Sequence, residues 1–300
     1  MKNSEINDGL RKSGYIPNTK INIATSGAMA GMPLLIEGAP GVGKSSLATA
    51  TAKMLGLPLI RVQFFEGLTY DKILYDYDYQ KQLLTIEAIK SSLEDNLKGK
   101  SIQEAITAAS GYDFYGKDFL IERPILKAIS GKEKCVLLLD EIDKSSEEIE
   151  YTLLEVLENY AMSIPQYGTV QCPEDMKPIV FLTSNNYRQL SDALKRRCNY
   201  LYLEPKTAAE MKEILLLQAG MDEKFAQAIA SCMEQIQNLP LKQQPSISEA
   251  SSWAKYLREH KEELIHLPDT FSMLVKDQSD QILLERSLKT GTIEEIEKTM

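Results

Sequence analysis

Short apolar runs recur along the first two thirds of the chain, with polar or helical stretches between them. They cover residues 33–37, 59–64, 135–139, 179–183 and 200–203. Strands that are buried on both faces are apolar at nearly every position, which is typical of a parallel sheet covered by helices. The pattern therefore predicts an α/β fold, an αβα sandwich in which a parallel sheet lies between two layers of helices.

The hydrophobic pattern changes after Pro205. Residues 207–300 show helical spacing with many Glu and Lys side chains, interrupted by glycine and proline. We predict a core over residues 1–205, followed by a smaller all-helical lid domain over residues 206–300. Within the core, residues of about 65–130 are rich in tyrosine and acidic side chains, and we interpret them as an insert.

Charge and composition narrow the functional classes. The 300 residues are 43% hydrophobic and 26% charged, with a net charge of −9. An acidic surface repels phosphate backbones, so we expect no nucleic-acid partner. No apolar run approaches the roughly 20 residues that span a bilayer, and residues 1–17 contain no apolar signal-peptide segment. Because the four cysteines are scattered, we expect reduced thiols and a cytoplasmic protein.

Residues 38–45 match the pattern Gly-x-x-x-x-Gly-Lys-Ser/Thr between the first apolar run and a helical stretch that ends at Gly56. The N–H groups of such a loop and the positive end of the following helix bind phosphates. Lys44 is expected to reach the β- and γ-phosphates, and Ser45 to ligate Mg²⁺. The sequence thus predicts a Mg-ATP site formed by Gly38, Ala39, Pro40, Gly41, Val42, Gly43, Lys44, Ser45 and Ser46.

Two adjacent carboxylates follow the third apolar run, at Asp140 and Glu141. In a doubly wound sheet the carboxyl end of this strand lies beside the phosphate-binding loop. We therefore expect Asp140 to bind the nucleotide's Mg²⁺ together with Ser45, through water, and Glu141 to act as the general base.

Asn185 follows the fourth apolar run. If that strand lies between those of Lys44 and Asp140, the side chain of Asn185 ends near the γ-phosphate. We expect it to help orient the attacking water. Asparagine also commonly caps a turn after a strand, so the purely structural interpretation stays open.

Arg196 and Arg197 precede the last apolar run. A guanidinium group supplied by a neighbouring subunit could stabilise transition-state charge as an arginine finger. A basic helix C-terminus, favoured by the helix dipole, explains the same residues. The residues alone leave both interpretations open.

Taken together, these motifs resemble the AAA+ superfamily, and within it the MoxR-like ATPases. The phosphate-binding loop, the Leu-Leu-Asp-Glu-Ile-Asp stretch ending at Asp143, Thr-Ser-Asn ending at Asn185 and Ala-Leu-Lys-Arg-Arg ending at Arg197 occur in the expected order. Three longer phrases, which begin at Arg61, Leu120 and Leu153, are similar to the branch associated with carbon-monoxide-dehydrogenase accessory genes.

The resemblance implies an αβα ATPase core, a helical lid and assembly into a ring, usually hexameric, with sites at subunit boundaries. By this analogy Arg197 is the preferred finger and Arg196 the second choice. Residues 65–90 would form an insert on the second core helix, and residues of about 161–173 a hairpin. The partners implied are a von Willebrand factor A domain protein and a protein client, which the ATPase would remodel or mature, including by metal-cofactor insertion.

The chain departs from the family at one position. AAA+ lids often carry an arginine that touches the γ-phosphate, whereas the corresponding stretch here reads Pro-Ser-Ile-Ser-Glu-Ala and places Glu249 at that position. Either the coupling between lid and nucleotide differs, or another cation such as Lys242 or Lys255 supplies it.

Two alternatives use the same motifs. A nucleic-acid motor or clamp loader would need a basic footprint, which the acidic chain does not offer. A small-molecule kinase would need an acceptor site, and the Asp140-Glu141 pair argues against it. The tyrosines of residues 70–79 could form a partner-binding surface, or they could belong to a solvated helix and loop.

Overall fold

The computed structural model describes residues 1–97, 113–219, 221–260 and 267–293, and its strands fall into a central sheet and two small antiparallel pairs. In chain order, the strands are β1 (Leu34–Gly38), β2 (Leu59–Gln63), β3 (Tyr75–Tyr77), β4 (Leu120–Glu122), β5 (Val136–Asp140), β6 (Ala161–Ile164), β7 (Gly168–Gln171), β8 (Ile179–Ser184) and β9 (Asn199–Leu203). The five strands predicted from apolar runs all form, each within one residue of the predicted bounds.

The central sheet has the order β2-β5-β8-β1-β9, and all its strands are parallel. Strand β8 pairs with β1 on one side and with β5 on the other. The predicted position of the Asn185 strand is therefore confirmed. As a result, the carboxyl ends of β1, β8 and β5 meet at one edge of the sheet.

Helices cover both faces of the sheet, as predicted. In chain order, the α-helices are α1 (Asn3–Lys12), α2 (Thr19–Met29), α3 (Lys44–Leu55), α4 (Tyr70–Ile73), α5 (Tyr79–Leu97), α6 (Pro124–Ile129), α7 (Glu147–Asn159), α8 (Asp192–Arg196), α9 (Ala208–Ala219), α10 (Glu223–Gln237), α11 (Ile247–Glu259) and α12 (Gln278–Lys289). Alternate residues of β5 face opposite cores: Val136 and Leu138 pack toward α2 and α3, and Leu137 and Leu139 toward α6 and α7.

The helices after Pro205 pack around a hydrophobic core of their own. Its centre is the fully buried Trp253, whose Nε1 donates a hydrogen bond of 2.7 Å to Thr270 Oγ1. One wall is a 3₁₀ helix, Leu267–Met273. This helical unit contacts the loop after β1 through the N–H of Ile247, which donates to the carbonyl of Gly41, and it forms one side of the site described below.

The predicted insert forms a small strand pair at the periphery of the fold and a helix in its core. Strands β3 and β4 pair antiparallel, and the hydroxyl of Tyr77 donates to the carbonyl of Pro165, at the tip of the β6–β7 hairpin. Helix α6 instead packs in the core under β2 and β5. Tyr70 and Tyr79 are exposed. Residues 98–112 of the predicted insert lie outside the described residues.

All four cysteines are free, and three of them, Cys135, Cys172 and Cys232, are buried. Burial raises the pKa of the Cys135 thiol to about 11, so it stays protonated near neutral pH.

Within the described ranges, no helix is both long enough and apolar enough to cross a membrane.

Candidate nucleotide site

The loop between β1 and α3 lines a cavity of about 220 Å³. Gly43 precedes α3 with a φ of 97°, a left-handed conformation that favours glycine, and it turns the chain so that α3 begins at Lys44. Residues 40–46 all line the cavity, together with Asp140, Glu141 and Asn185. Gly38 and Ala39 do not line it; their carbonyl oxygens accept hydrogen bonds from Lys44 Nζ at 2.7 and 2.8 Å.

The Lys44 side chain is buried under the loop. Burial lowers the pKa of this amine, and the nearby carboxylates of Asp143, Asp140 and Glu141 partly oppose the shift. The three carboxylates thus face the one lysine that the phosphate-binding pattern requires. The predicted convergence of loop and acidic residues is present in the fold.

Asp140 is 2% exposed and accepts hydrogen bonds on both carboxylate oxygens. Ser45 Oγ donates to Oδ1 at 2.7 Å, and Thr183 Oγ1 donates to the same oxygen at 2.5 Å. A serine hydroxyl and a carboxylate side by side are the oxygen ligands that Mg²⁺ prefers, and Mg²⁺ keeps several waters in such sites. These residues therefore fit the expected metal, with Ser45 as a direct ligand and Asp140 as an acceptor for its waters.

Arg61 occupies the other oxygen of Asp140. Its Nε and Nη2 lie 2.9 and 2.5 Å from Asp140 Oδ2, and Nη2 also donates to Gln63 Oε1 at 2.8 Å. Strand β2 carries this arginine, and β2 pairs with β5 along the edge of the sheet. No role for Arg61 follows from the sequence, because the position of β2 next to β5 is a property of the sheet order.

Glu141 is held in a left-handed conformation, with a φ of 58°, directly after β5. Its backbone N–H donates to Thr183 Oγ1 at 2.9 Å, so Thr183 bridges the two acidic residues. The Glu141 carboxylate accepts from Asn185 Nδ2 at 3.2 Å and forms an ion pair of 2.6 Å with Lys144 Nζ. Asn185 therefore contacts the predicted general base.

Asp143 fixes the loop that carries Asn185. This fully buried carboxylate accepts the backbone N–H groups of Asn185 and Tyr187 on Oδ2, at 2.9 and 2.8 Å. A second anchor lies further along, where the buried Glu150 accepts from the Arg188 guanidinium and from the Ser191 N–H. The two acidic residues thus attach the loop after β8 to the elements after β5.

The helical unit closes the opposite side of the cavity. Ile214 of α9 and Ile247 and Ser248 of α11 line it, with Tyr15 and Ile16 from the segment after α1. Tyr15 is buried, and burial, with a contribution from Glu210, raises the pKa of its phenol, which stays neutral. The cavity therefore has a polar end at Lys44 and an apolar end between the two isoleucines and Tyr15.

Glu249 does not enter the cavity. Its carboxylate accepts the N–H of Ser246 at 2.8 Å, and Ser246 Oγ accepts the N–H of Glu249 at 3.2 Å, forming a capping box at the start of α11. Neither Lys242, paired with Asp277, nor Lys255 lines the cavity. Lys206, 8% exposed, does line it, and its Nζ lies 3.2 Å from Glu210 Oε1 and 6.0 Å from the centre of the Tyr15 ring.

The two candidate finger arginines lie away from this cavity. Arg197 donates to Glu158 Oε2 from Nε and Nη2, at 3.1 and 2.8 Å, and to the carbonyl of Ala193. Arg196, at the end of α8, is exposed, and its side chain has no hydrogen bond or ion pair within the described residues. Both arginines thus lie outside the cavity of their own chain, and the choice between them as a finger, with Arg197 first, stays a prediction.

Sequence reasoning missed three cations at the site, Lys144, Arg61 and Lys206. Lys144 could have been found, because it lies three residues after Glu141, a spacing that brings side chains together on a helical turn. Arg61 and Lys206 offered no local signal. Their roles depend on the neighbours that the sheet and the helical unit give them.

A parallel sheet with a glycine-containing loop before a helix, and with acidic residues at the end of a nearby strand, defines a P-loop nucleotide-binding protein of the α/β class. A family model described as AAA domain (dynein-related subfamily) matches residues 33–198. This match spans more than half of the chain, and the chain belongs to that family. The predicted AAA+ superfamily is confirmed, whereas the MoxR-like branch stays a prediction.

Other comparisons give distant matches or none. No curated protein matches the chain significantly. A solved structure of a Thermotoga maritima RuvB point mutant has 17% identity and a TM-score of 0.47, covering 93% of this chain and 70% of its own. A Thermotoga maritima RuvB described as a Holliday junction branch migration motor has 16% identity and a TM-score of 0.44, covering 93% and 69%.

Proposed function

We propose that this chain binds Mg-ATP in the cavity between sheet and helical unit and hydrolyses it. The observation that carries the proposal is the meeting of Ser45 and Asp140, whose Oγ and Oδ1 lie 2.7 Å apart, beside Lys44 and Glu141. A hydroxyl, a carboxylate, a buried lysine and a second carboxylate are the groups that phosphoryl transfer to water requires.

In the mechanism we propose, the loop N–H groups and Lys44 bind the phosphates. The apolar end of the cavity, near Tyr15 and Ile214, binds the adenine ring. Magnesium, when bound, neutralises charge on the phosphate oxygens. Glu141 accepts a proton from the attacking water. Asn185, which contacts the Glu141 carboxylate, helps to orient that water. Lys144 Nζ lies 2.6 Å from the other oxygen of this carboxylate and so shares it with Asn185.

Binding and hydrolysis are tested separately with two variants. Lys44→Ala should abolish binding of a fluorescent ATP analogue. Glu141→Gln should still bind it and lose at least about 100-fold in kcat, the contribution typical of a general base. Glu147→Gln, an exposed position outside the cavity, is the matched control and should behave as wild type. Full hydrolysis by Glu141→Gln would contradict the assignment of the base.

We further propose that the energy is used on a protein client, in a ring of MoxR-like subunits with a von Willebrand factor A domain partner. The support is the set of MoxR-like phrases in the sequence and the net charge of −9, which disfavours a nucleic-acid track. Glu141→Gln, loaded with ATP, should retain such partners on affinity purification. Tight, salt-sensitive DNA binding would instead favour a nucleic-acid motor.

A further inference from the structure

Asp140 has no acceptor capacity to spare. A carboxylate offers about four lone-pair sites, and the two oxygens of Asp140 accept four donor groups: Ser45 Oγ and Thr183 Oγ1 on Oδ1, and the Nε and Nη2 of Arg61 on Oδ2. Waters around a metal at Ser45 would also donate to this carboxylate. One of the present donors must therefore give up its hydrogen bond to Asp140 when the metal binds.

Two of these three side chains are poorly placed to yield. Thr183 is fully buried and also accepts the N–H of Glu141, so moving it would leave that N–H without its partner. Ser45 lies in the first turn of α3 and is the expected metal ligand itself. Moving either would disturb the site that the metal is to occupy.

Arg61 can leave at little cost. Its side chain is 55% exposed, it projects from an edge strand, and its Nη2 already has a second acceptor in Gln63 Oε1 at 2.8 Å. A guanidinium that moves outward from this position exchanges its contact with one carboxylate oxygen for contacts with water, and it can keep the contact with the Gln63 amide. The carboxylate it leaves is buried, and a divalent cation nearby replaces the lost positive charge.

We propose that Arg61 is an exchangeable counter-ion of Asp140, which competes with the divalent cation for this carboxylate. The inference rests on the proposed Mg-ATP site and adds to it a residue that sets the metal affinity. Because Arg61 lies on the exposed edge strand β2, any partner that draws its guanidinium outward would tighten metal binding. Arg61 would thus couple the metal site to the surface of the sheet edge.

The test is the affinity for Mn²⁺, measured by electron paramagnetic resonance on the full chain with a non-hydrolysable ATP analogue. Arg61→Gln should bind Mn²⁺ about five- to tenfold more tightly than wild type, as expected for the loss of one competing charge-assisted interaction. Lys132→Gln removes the same charge from the Lys132–Glu122 pair elsewhere on the surface and should leave the affinity unchanged. An unchanged or weaker affinity of Arg61→Gln overturns the proposal.

Thermal unfolding distinguishes an exchangeable Arg61 from one that only supports the fold. Without metal, Arg61→Gln should melt at a lower temperature than wild type, and Mn²⁺ with nucleotide should remove the difference; a deficit that persists in both conditions indicates a structural role only and overturns the proposal. If Arg61→Gln does not fold, Arg61→Lys is measured, with a two- to threefold tightening expected and no tightening as the contrary result. Failure of wild type itself to bind Mn²⁺ with nucleotide would refute the Mg-ATP site instead.

Discussion

Asp143 illustrates how much of the site depends on a single residue that never needs to touch substrate. Its buried carboxylate accepts two backbone N–H groups from the loop after β8, and those hydrogen bonds place Asn185 within 3.2 Å of Glu141. A charge-assisted hydrogen bond of this kind contributes about 1.5–3 kcal/mol. The loop geometry, and with it the contact between Asn185 and the base, depends on this one side chain.

At the residue scale we therefore expect Asp143→Ala to lower the free energy of unfolding by about 3 kcal/mol, because two N–H groups lose their acceptor. The kcat for ATP should fall as Asn185 is displaced. Asp143→Asn keeps an acceptor oxygen of the same reach and should retain most of both quantities. Denaturant unfolding and steady-state ATPase assays measure the two effects; equal losses in both variants would show that the negative charge, not the hydrogen bonding, matters.

At the scale of elements, the start of α11 rests directly on the phosphate-binding loop. The N–H of Ile247 donates to the carbonyl of Gly41 at 3.4 Å, and a Cβ added at Gly41 would lie 2.2 Å from the Cβ of Ser246. With a φ of +79°, Gly41 also has a backbone conformation that other residues rarely adopt. The absence of a side chain here lets the helical unit and the loop touch.

Gly41→Ala should therefore weaken ATP binding, because the new methyl group must push α11 away from the loop. The strain in the left-handed conformation adds a stability cost of about 1–2 kcal/mol. Gly56→Ala is the matched control: its φ is +65°, so it should have the same strain cost of about 1–2 kcal/mol, but a Cβ there meets open space and binding should stay intact. Calorimetric titration with an ATP analogue compares the two, and equal affinities would argue against the contact.

A second question at this scale is which cation, if any, joins the helical unit to the nucleotide, since the resemblance predicts Glu249 where other lids carry an arginine. Glu249 is used in the capping box of α11, whereas Lys206 reaches the cavity from the linker before α9. We expect Lys206→Met to weaken ATP binding about tenfold, the effect of one charged interaction. Glu249→Ala should cost about 1 kcal/mol of stability as a lost cap and leave the affinity unchanged. Titration and thermal unfolding distinguish them; a larger affinity loss for Glu249→Ala would reverse the assignment.

At the scale of the whole molecule, neither Arg196 nor Arg197 lies at the cavity of its own chain. Arg197 is paired with Glu158, while Arg196 is exposed at the end of α8. If either of these two arginines acts at the γ-phosphate, it must come from a second copy. This is the arrangement that the proposed ring implies.

Complementation tests the ring. Glu141→Gln and Arg196→Ala should each be inactive, but a one-to-one mixture should regain about a quarter of wild-type activity, because a random ring pairs an intact base with an intact finger at that share of its interfaces. The rate per wild-type subunit should also rise with protein concentration. Arg197→Ala in the same mixture shows which arginine acts. No recovery with either arginine, and a rate independent of concentration, would mean a self-contained site.

The sequence by itself determined the features that are local along the chain. The five strands, the helix that begins at Lys44, the loop before it and the acidic pair at the end of β5 were all predicted, because each depends on the periodicity or spacing of neighbouring residues. Even the meeting of Lys44 with Asp140 and Asn185 followed, since the carboxyl ends of parallel strands share one edge of the sheet. These contacts needed no knowledge of which side chains face each other.

Only the tertiary structure decided which cations lie beside which carboxylates. Arg61 meets Asp140 because the strand order places β2 next to β5. Lys206 enters the cavity because the linker folds back over the loop, and Arg197 pairs with Glu158 of α7. Such pairings join segments far apart in the chain, and long charged side chains adapt to whatever neighbours packing provides, so no local pattern encodes them.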